Sequence, residues 1–339
     1  MDYAALGAQA ANGEAQAASF YKGRVLQADA DFFAYECAFL DETVNENFQK
    51  LKNHLEVKRR MAGAEFLNVH LTMGLKGGRE QIATVKGYQE HRSDPTRDEL
   101  KIRVRELRTM LANYKTDTIT PIVNLTQEAD DSLTQYQVRQ RICGGEDSSV
   151  LMSGDKDLWM VEGLHCDPKT GRMYRVFGYG NCEYRDVGNK EPKLVGEGTS
   201  WFWHQMLMGD TADNIPGLPK ISGRLLNEYL PTAKYNANRT SQACGEAKAV
   251  AVLDGVNNDK EAFRRVYECY TDYYRDTNNT AEMFFEQAFL LWMRRTENTL
   301  DVLNFLKMLG FNYALTENQK KALTRYEALC KLQAEREEI

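Results

Sequence analysis

Apolar positions fall along this chain in two rhythms. Short runs of apolar and β-branched residues, RVLQAD (24–29), EFLNVHL (65–71), TITPIVN (118–124) and the first half of SSVLMSGDKD (148–157), have the length and composition of buried strands. Between the first two, DFFAYECAFLDETVNENFQKLKNHLEVKRRM repeats its apolar residues at helical spacing. EADDSLTQYQVRQRI (128–142) reads as a helix with an acidic first turn, where the helix dipole favours carboxylates. GLHCDPKTGRMYRVF (163–177) reads as a hairpin around Asp-Pro-Lys-Thr-Gly, and from about residue 199 the pattern is mostly helical. The Ala-rich start reads as a loose tail, so the expected segments are 1–20, 21–198 and 199–339. Strands alternating with helices predict an α/β fold built on a parallel sheet.

In open α/β sheets, ligands bind beyond the carboxyl ends of the strands. The acidic residues of this chain gather there. Asp29 and Asp31 follow the first strand, Glu128, Asp130 and Asp131 the third, and Asp155 and Asp157 the fourth. Asp210 and Asp213, in MGDTADNIPGLPKISG (208–223), come from the helical part. Taken singly, each cluster reads as a cap or a turn, since Asp and Asn favour both. Taken together, so many carboxylates on one sheet edge repel one another unless cations neutralise them. Oxygen-only ligands suit hard cations, Mg²⁺ or Mn²⁺, and two such ions roughly 3.5–4 Å apart form the usual arrangement for phosphodiester hydrolysis.

Composition narrows the partners. The 339 residues are 42% hydrophobic and 27% charged, ordinary for a globular protein, with a net charge of −6. Without the eight proposed ligands (Asp29, Glu128, Asp130, Asp131, Asp155, Asp157, Asp210, Asp213) that charge becomes +2, which DNA tolerates. Basic residues concentrate in TRDELKIRVRELRTM (96–110), where Arg97, Lys101, Arg103, Arg105 and Arg108 fit either a solvated helix face or a nucleic-acid contact. No apolar run is long enough to span a bilayer, and the start has neither the basic nor the apolar region of a signal peptide, so a cytoplasmic protein without a membrane partner is expected. The seven cysteines are scattered without CxxC spacing, which fits a reducing compartment and predicts no zinc site. His54, His70, His91, His165 and His204 have no partners at metal spacing and read as structural. LKGGRE (75–80) lacks the Gly-Lys-Ser/Thr ending of a phosphate loop, so nucleotide hydrolysis is not expected.

The order LQADAD, EADD, LMSGDKDLWMV, LMGDTADNIPGLPKISG resembles the 5′-nuclease superfamily over roughly residues 20–235. That family includes phage 5′→3′ exonucleases, flap endonucleases and the 5′-nuclease domain of bacterial DNA polymerase I, and the layout is most similar to the phage type. The resemblance implies a PIN-like parallel-sheet core, a helical arch at about 86–115 admitting a 5′ end, and a helix–three-turn–helix gripping duplex DNA at about 209–230. It implies Asp29, Glu128 and Asp130 around the ion nearest the scissile phosphate, and Asp131, Asp155, Asp157, Asp210 and Asp213 around the second. Arg97, Lys101, Arg103, Arg105 and Arg108 would line the arch, and Lys220 or Arg224 would meet duplex phosphates. Two Mg²⁺ or Mn²⁺ ions, a K⁺ ion at the DNA-binding turn, and a flap, a free 5′ end or an RNA–DNA primer complete the expected set. Residues 240–339 are expected to brace the DNA-binding side or to contact another replication protein.

Three departures from the family pattern stand out. No acid follows the second strand in NVHLTMGLKGGREQ before Glu80, leaving Asp31 as a substitute and Met73 or Gly74 as positions where an acid would restore it. The arch entry VKGYQEHR keeps Tyr88 and Arg92 but has Gln89 where the family has a phosphate-contacting Lys, with Lys86 the nearby replacement. The turn carries Lys220 and Ser222 where the family has glycines. The expected activity is therefore a metal-dependent 5′→3′ exonuclease or flap endonuclease, serving primer removal or DNA degradation in phage replication. A junction-binding protein with a weakened centre, and a PIN-like ribonuclease, are the competing readings.

Overall fold

The computed structural model describes residues 18–90, 98–186, 191–229 and 241–337. Arg92, Arg97 and most of the expected N-terminal tail lie outside these residues. The chain forms two compact units. One takes in the chain up to Leu75 with Asp94–Leu158 and Glu162–Val176; the other comprises Lys76–Ser93, Trp159–Val161 and Phe177–Ile339.

The first unit is built on a six-stranded sheet. Its strands are β1 (Tyr21–Asp29), β2 (Ala64–Thr72), β3 (Ile119–Asn124), β4 (Ser149–Met152), β5 (Gly163–Cys166) and β6 (Met173–Val176), in the order β3-β2-β1-β4-β5-β6. The first five run parallel, and β6 returns antiparallel from β5. The expected hairpin forms because Asp167 Oδ1 accepts the Lys169 and Thr170 amides (2.9 and 2.7 Å), closing its tip. Helices α1 (Ala30–Glu36), α2 (Val44–Met61), α4 (Asp98–Ala112) and α5 (Ala129–Gly144) belong to this unit; α3 (Arg79–Ile82) belongs to the other. Leu26, Ala28, Leu67, Val69 and Leu71 of the sheet pack with Leu51, Leu55, Leu107 and Leu111 of the helices in one core.

The helical pattern after β1 divides into two helices rather than one. Thr43 caps α2 with a reciprocal box: its hydroxyl accepts the Glu46 amide (3.3 Å) and the Glu46 carboxylate accepts the Thr43 amide (2.8 Å). Such a box satisfies two helix-end donors and starts a new helix at Val44.

A polar network crosses the sheet interior. His70 of β2 donates from Nε2 to Gln27 Oε1 and accepts at Nδ1 from Ser132 Oγ of α5, both at 2.9 Å. Gln27 also binds Ser149 Oγ and accepts from Asn68. Burial pushes the His70 imidazole down to about 3, so it is neutral, in keeping with a structural histidine. The Ala129 amide donates to Thr72 Oγ1 (2.8 Å), pinning the first turn of α5 to the end of β2.

The second unit is mainly helical among the described residues: α3, α6 (Thr199–Met208), α7 (Gly223–Tyr229), α8 (Glu246–Val252), α9 (Asp259–Tyr274), α10 (Thr280–Leu291), α11 (Asp301–Met308) and α12 (Glu317–Glu337). Every residue of α6 from Thr199 to Leu207 is buried. Its Phe202 ring lies 5.0 Å from Trp292 and 4.9 Å from Trp203, so WFWHQML serves helix packing as expected. A hairpin of β7 (Cys182–Arg185) and β8 (Lys193–Gly196), not anticipated from the sequence, also belongs here. The expected boundary at residues 198–199 thus falls inside this unit. Glu197 and Asn181 exchange backbone hydrogen bonds, and the Thr199 and Ser200 amides donate to Gly178 and Tyr179, tying residues 178–200 together. Between α6 and α7 lies a compact turn region, in which β9 (Lys220–Ile221) pairs with β10 (Gln242–Ala243). Helix, turns and helix follow in the order the motif implies. Among the described residues no helix is long and apolar enough to cross a membrane.

Candidate metal centre

Because β1, β3 and β4 are parallel, the residues that follow them emerge at the same edge of the first unit's sheet. Asp29 ends β1 and also caps α1, its Oδ1 accepting the Phe32 amide at 3.0 Å. Its Oδ2 accepts from Ser153 Oγ at 2.7 Å, and Ser153 Oγ accepts the Asp155 amide at 2.9 Å. The Asp157 amide in turn donates to Asp155 Oδ1 at 2.9 Å. One chain of hydrogen bonds therefore orders Asp29, Asp155 and Asp157, with Ser153 as the connector that the motif contained but that acid counting overlooked. Gly154 lets this loop close on α1. A Cβ there would stand 2.3 Å from Cε2 of Phe32.

Glu128 precedes α5 as its N-cap residue, and Asp130 and Asp131 occupy its first turn. Asp131 is fully buried, whereas Asp130 still reaches the surface. Protein encloses Asp130 on enough sides that desolvation is the largest cause raising its carboxyl well above the usual range, followed by the charges of Asp29, Asp155, Glu128 and Asp31. Asp29, 5% exposed, is pushed up to about 7, first by burial and then by Asp31, against the hydrogen bonds from Phe32 and Ser153. Asp29, Asp31, Glu128, Asp130 and Asp155 thus act on one another as like charges.

Asp31 stands where the second-strand acid is missing. Its carboxylate accepts the amide of Thr72, the last residue of β2, at 3.1 Å and lies 2.8 Å from Arg108 Nε. The acid comes from α1 instead of from β2. Of the two positions for restoring an acid, Gly74 is closed: a Cβ there would lie 2.0 Å from the Leu125 carbonyl oxygen.

The donor set fits a hard cation: it is all oxygen, drawn from three strand ends, and mutually repelling. Among the described residues, no three His, Cys, Asp or Glu side chains already enclose one point. An open set of carboxylates suits Mg²⁺, which keeps several of its waters and takes one or two carboxylates directly, better than it suits a closed protein cage.

In the second unit, Asp210 and Asp213 shape the turn after α6. Asp210 is 1% exposed; its Oδ1 accepts the Ala212 amide (2.8 Å) and its Oδ2 accepts from Gln205 Nε2 (3.2 Å). Its backbone bridges to Ile215. The Asp213 carboxylate accepts from Tyr88 Oη (3.0 Å) and Gln89 Nε2 (3.1 Å). Tyr88 is accordingly buried against Asp213, away from any role as an exposed DNA contact. The turn requires two glycines. Gly209 and Gly217 have φ of +74° and +63°, and a Cβ on Gly217 would meet the Gly209 nitrogen at 2.3 Å. Gly217→Ala is expected to destabilise the protein by roughly 2 kcal/mol or more, combining left-handed strain with a backbone clash. A melting temperature equal to wild type would show that the turn relaxes freely.

The basic residues separate by role. Arg103 donates to the Phe39 and Glu42 carbonyls (2.9 and 2.7 Å) and to Asn47 Oδ1 (3.0 Å), and Arg108 pairs with Asp31. Both are committed to the packing of α4 on α1 and α2, so neither is presented as an arch-lining cation. Lys101 lies 3.3 Å from Asp98 Oδ1, while Arg105, Lys86 and Lys220 are exposed. Arg224 is exposed but ringed by Glu228, Glu268 and Asp272 at 3.3–3.6 Å. Arg105→Ala is therefore expected to lower the salt slope of DNA binding by about one without changing stability, and Arg103→Ala to lower the melting temperature by a few degrees. Salt titrations and thermal melts of the two variants distinguish these effects; equal salt slopes for wild type and Arg105→Ala would return α4 to a solvated face.

No protein-family model matches the sequence, and no curated protein does either. Solved structures do match. The T5 D15 protein co-crystallised with metal ions is similar with a TM-score of 0.55 at 13% identity, over 90% of this chain and 99% of that one. T5 5′-exonuclease with divalent zinc ions bound gives 0.55 at 14% identity, over 89% and 99%. The chain has the fold of these phage-type 5′ nucleases.

Proposed function

We propose that this chain is a divalent-cation-dependent 5′ nuclease that hydrolyses phosphodiester bonds at 5′ ends, flaps or RNA–DNA primers, as in phage replication. The observation that carries the reading is the set of like-charged carboxylates after β1, β3 and β4, in which Asp29 and Asp130 are pushed towards their protonated forms. Asp29, Glu128 and Asp130 would hold one Mg²⁺ or Mn²⁺. The motif resemblance assigns Asp131, Asp155, Asp157, Asp210 and Asp213 to a second, with K⁺ at the DNA-binding turn. Bound there, divalent cations would neutralise the carboxylates and polarise the scissile phosphate. The protein's own contribution is orientation: Ser153 and the Phe32 amide fix Asp29, the Thr72 hydroxyl fixes the start of α5, and Asp31 keeps Arg108 beside the strand ends. Lys86 and Arg92 would meet the phosphate, and Arg105 and Lys220 the backbone of the nucleic acid.

The test is a 5′-labelled flap duplex incubated with Mg²⁺, Mn²⁺ or EDTA, beside single-stranded RNA. Metal-dependent release of short 5′ products from the flap supports the nuclease. Cleavage of the RNA alone would favour a PIN-like ribonuclease. Tight flap binding without cleavage would favour a junction-binding protein, the reading that Asp31's engagement with Arg108 motivates.

A further inference from the structure

Lys86 closes an exposed segment, residues 84–86, whose backbone is nevertheless held by a fully buried carboxylate. Glu286 of α10 is 1% exposed, and its neighbours along the helix, Phe284, Phe285, Ala288 and Phe289, are buried with it. A carboxylate in such a place is costly unless hydrogen bonds compensate it. Three do. Its Oε1 accepts the Thr84 and Val85 amides at 3.0 and 3.1 Å, and its Oε2 accepts from Thr84 Oγ1. The next residue, Gln287, is also buried, and its Oε1 accepts the Gly217 amide at 3.0 Å. Two consecutive polar side chains of one helix therefore hold the segment before Lys86 and the turn after α6. The turn supplies a further contact from the other side: Asn214 Nδ2 donates to the Gly87 carbonyl at 2.9 Å. Asn214 has φ of +61°, a left-handed conformation that asparagine tolerates better than most residues.

We infer that Glu286 is a positioning residue for Lys86, with Asn214 as the strut on the other side. The chain is anchored just before Lys86, at residues 84 and 85, and just after it, at Gly87, while Lys86 itself stays exposed. A lysine side chain is a flexible four-carbon stem, so its reach to a phosphate depends on where the backbone places its Cα. Amide bonds to a carboxylate are roughly twice as strong as neutral ones, which suits Glu286 to holding a surface segment against competition from water. Because Gln287 and Asn214 connect the same elements to the turn, the placement of Lys86 relative to the turn is set within this unit. The inference rests on the reading of Lys86 as a phosphate contact given above.

The test is a double-mutant cycle on flap cleavage by the full chain with Mn²⁺, beside thermal melts. Glu286→Gln keeps the side chain's size but turns an amino group towards donors that need an acceptor. The expected result is a loss of kcat/KM of about tenfold or more for Lys86→Ala, and a similar loss for Glu286→Gln, since a small misplacement of a contacting group is costly. In the Lys86→Ala background, Glu286→Gln should cost less than about twofold, because the two changes remove one contact between them. A merely structural Glu286 would instead cost the same factor in both backgrounds, and that result, or full activity in Glu286→Gln, would overturn the positioning role alone. If Glu286→Gln fails to fold, Asn214→Gly replaces it in the cycle, since glycine keeps the left-handed backbone while removing the bond to Gly87. An equal loss in both backgrounds, or none, for that variant would likewise overturn the role. Lys86→Ala cleaving as wild type would overturn the reading of Lys86, and wild type cleaving nothing would overturn the nuclease reading; either result removes the positioning role with it.

Discussion

Asp130→Asn is expected to abolish flap cleavage while making the metal-free protein harder to melt. Asparagine keeps the shape of the side chain in the first turn of α5 and removes only the charge. If Asp130 holds a cation whose transition-state stabilisation amounts to several kcal/mol, the rate falls by about 10³-fold or more. The stability effect has the opposite sign. The folded environment disfavours the Asp130 carboxylate, through burial and through Asp29, Asp155, Glu128 and Asp31. Removing that charge relieves a repulsion the unfolded chain does not suffer, so the melting temperature in EDTA should rise by a few degrees. A structural carboxylate behaves in the reverse way, because its loss strands hydrogen-bond donors. Retained cleavage together with a lower melting temperature would therefore remove Asp130 from the centre.

The second large effect concerns pH and metal together. Burial and the neighbouring Asp31 push the Asp29 carboxyl from the ordinary aspartate value of 3.8, which it keeps in the unfolded chain, up to about 7 in the fold. Between those values the native state binds more protons than the unfolded state, so stability falls as pH rises through this window and levels off above it. Asp130, also raised, adds to the same trend. Asp29→Asn keeps an acceptor for the cap of α1 but does not titrate. Melts in EDTA from pH 4 to 8 should accordingly show wild type losing stability relative to Asp29→Asn. Millimolar Mn²⁺ should reverse this loss, stabilising wild type more at pH 8 than at pH 5, because ions and protons compete for the same oxygens. A constant difference between the two proteins across the range would mean that Asp29 carries no perturbed proton.

Much of the centre was legible because strand ends are local features. The runs at 24–29, 118–124 and 148–152 mark where β1, β3 and β4 stop, and the acids follow each at once. Parallel order then brings them to one edge. The break between α1 and α2 was also written in the chain, as Thr43-x-x-Glu46, but apolar spacing continued across it and hid the cap. The β7–β8 hairpin left little trace: its strands are only four residues long, β7 is largely exposed, and β8 buries a single large apolar side chain, Leu194.

The sequence by itself marked the individual strands, the acids at their ends and the turn after α6, since each shows in neighbours within a few residues, and the alternation of strands with helices implied their parallel order. Only the tertiary structure decided what individual side chains do. Periodicity places Arg103, Arg105 and Arg108 on α4, but the packing of that helix on α1 and α2 turns Arg103 to the Phe39 and Glu42 carbonyls, brings Arg108 to Asp31 and leaves Arg105 outside. In the same way Asp31 meets the end of β2 across 41 residues, and Gln89 meets Asp213 across 124. Local spacing sets the phase of an element. Burial and hydrogen bonding between elements distant in the chain set which of its faces remains for a ligand.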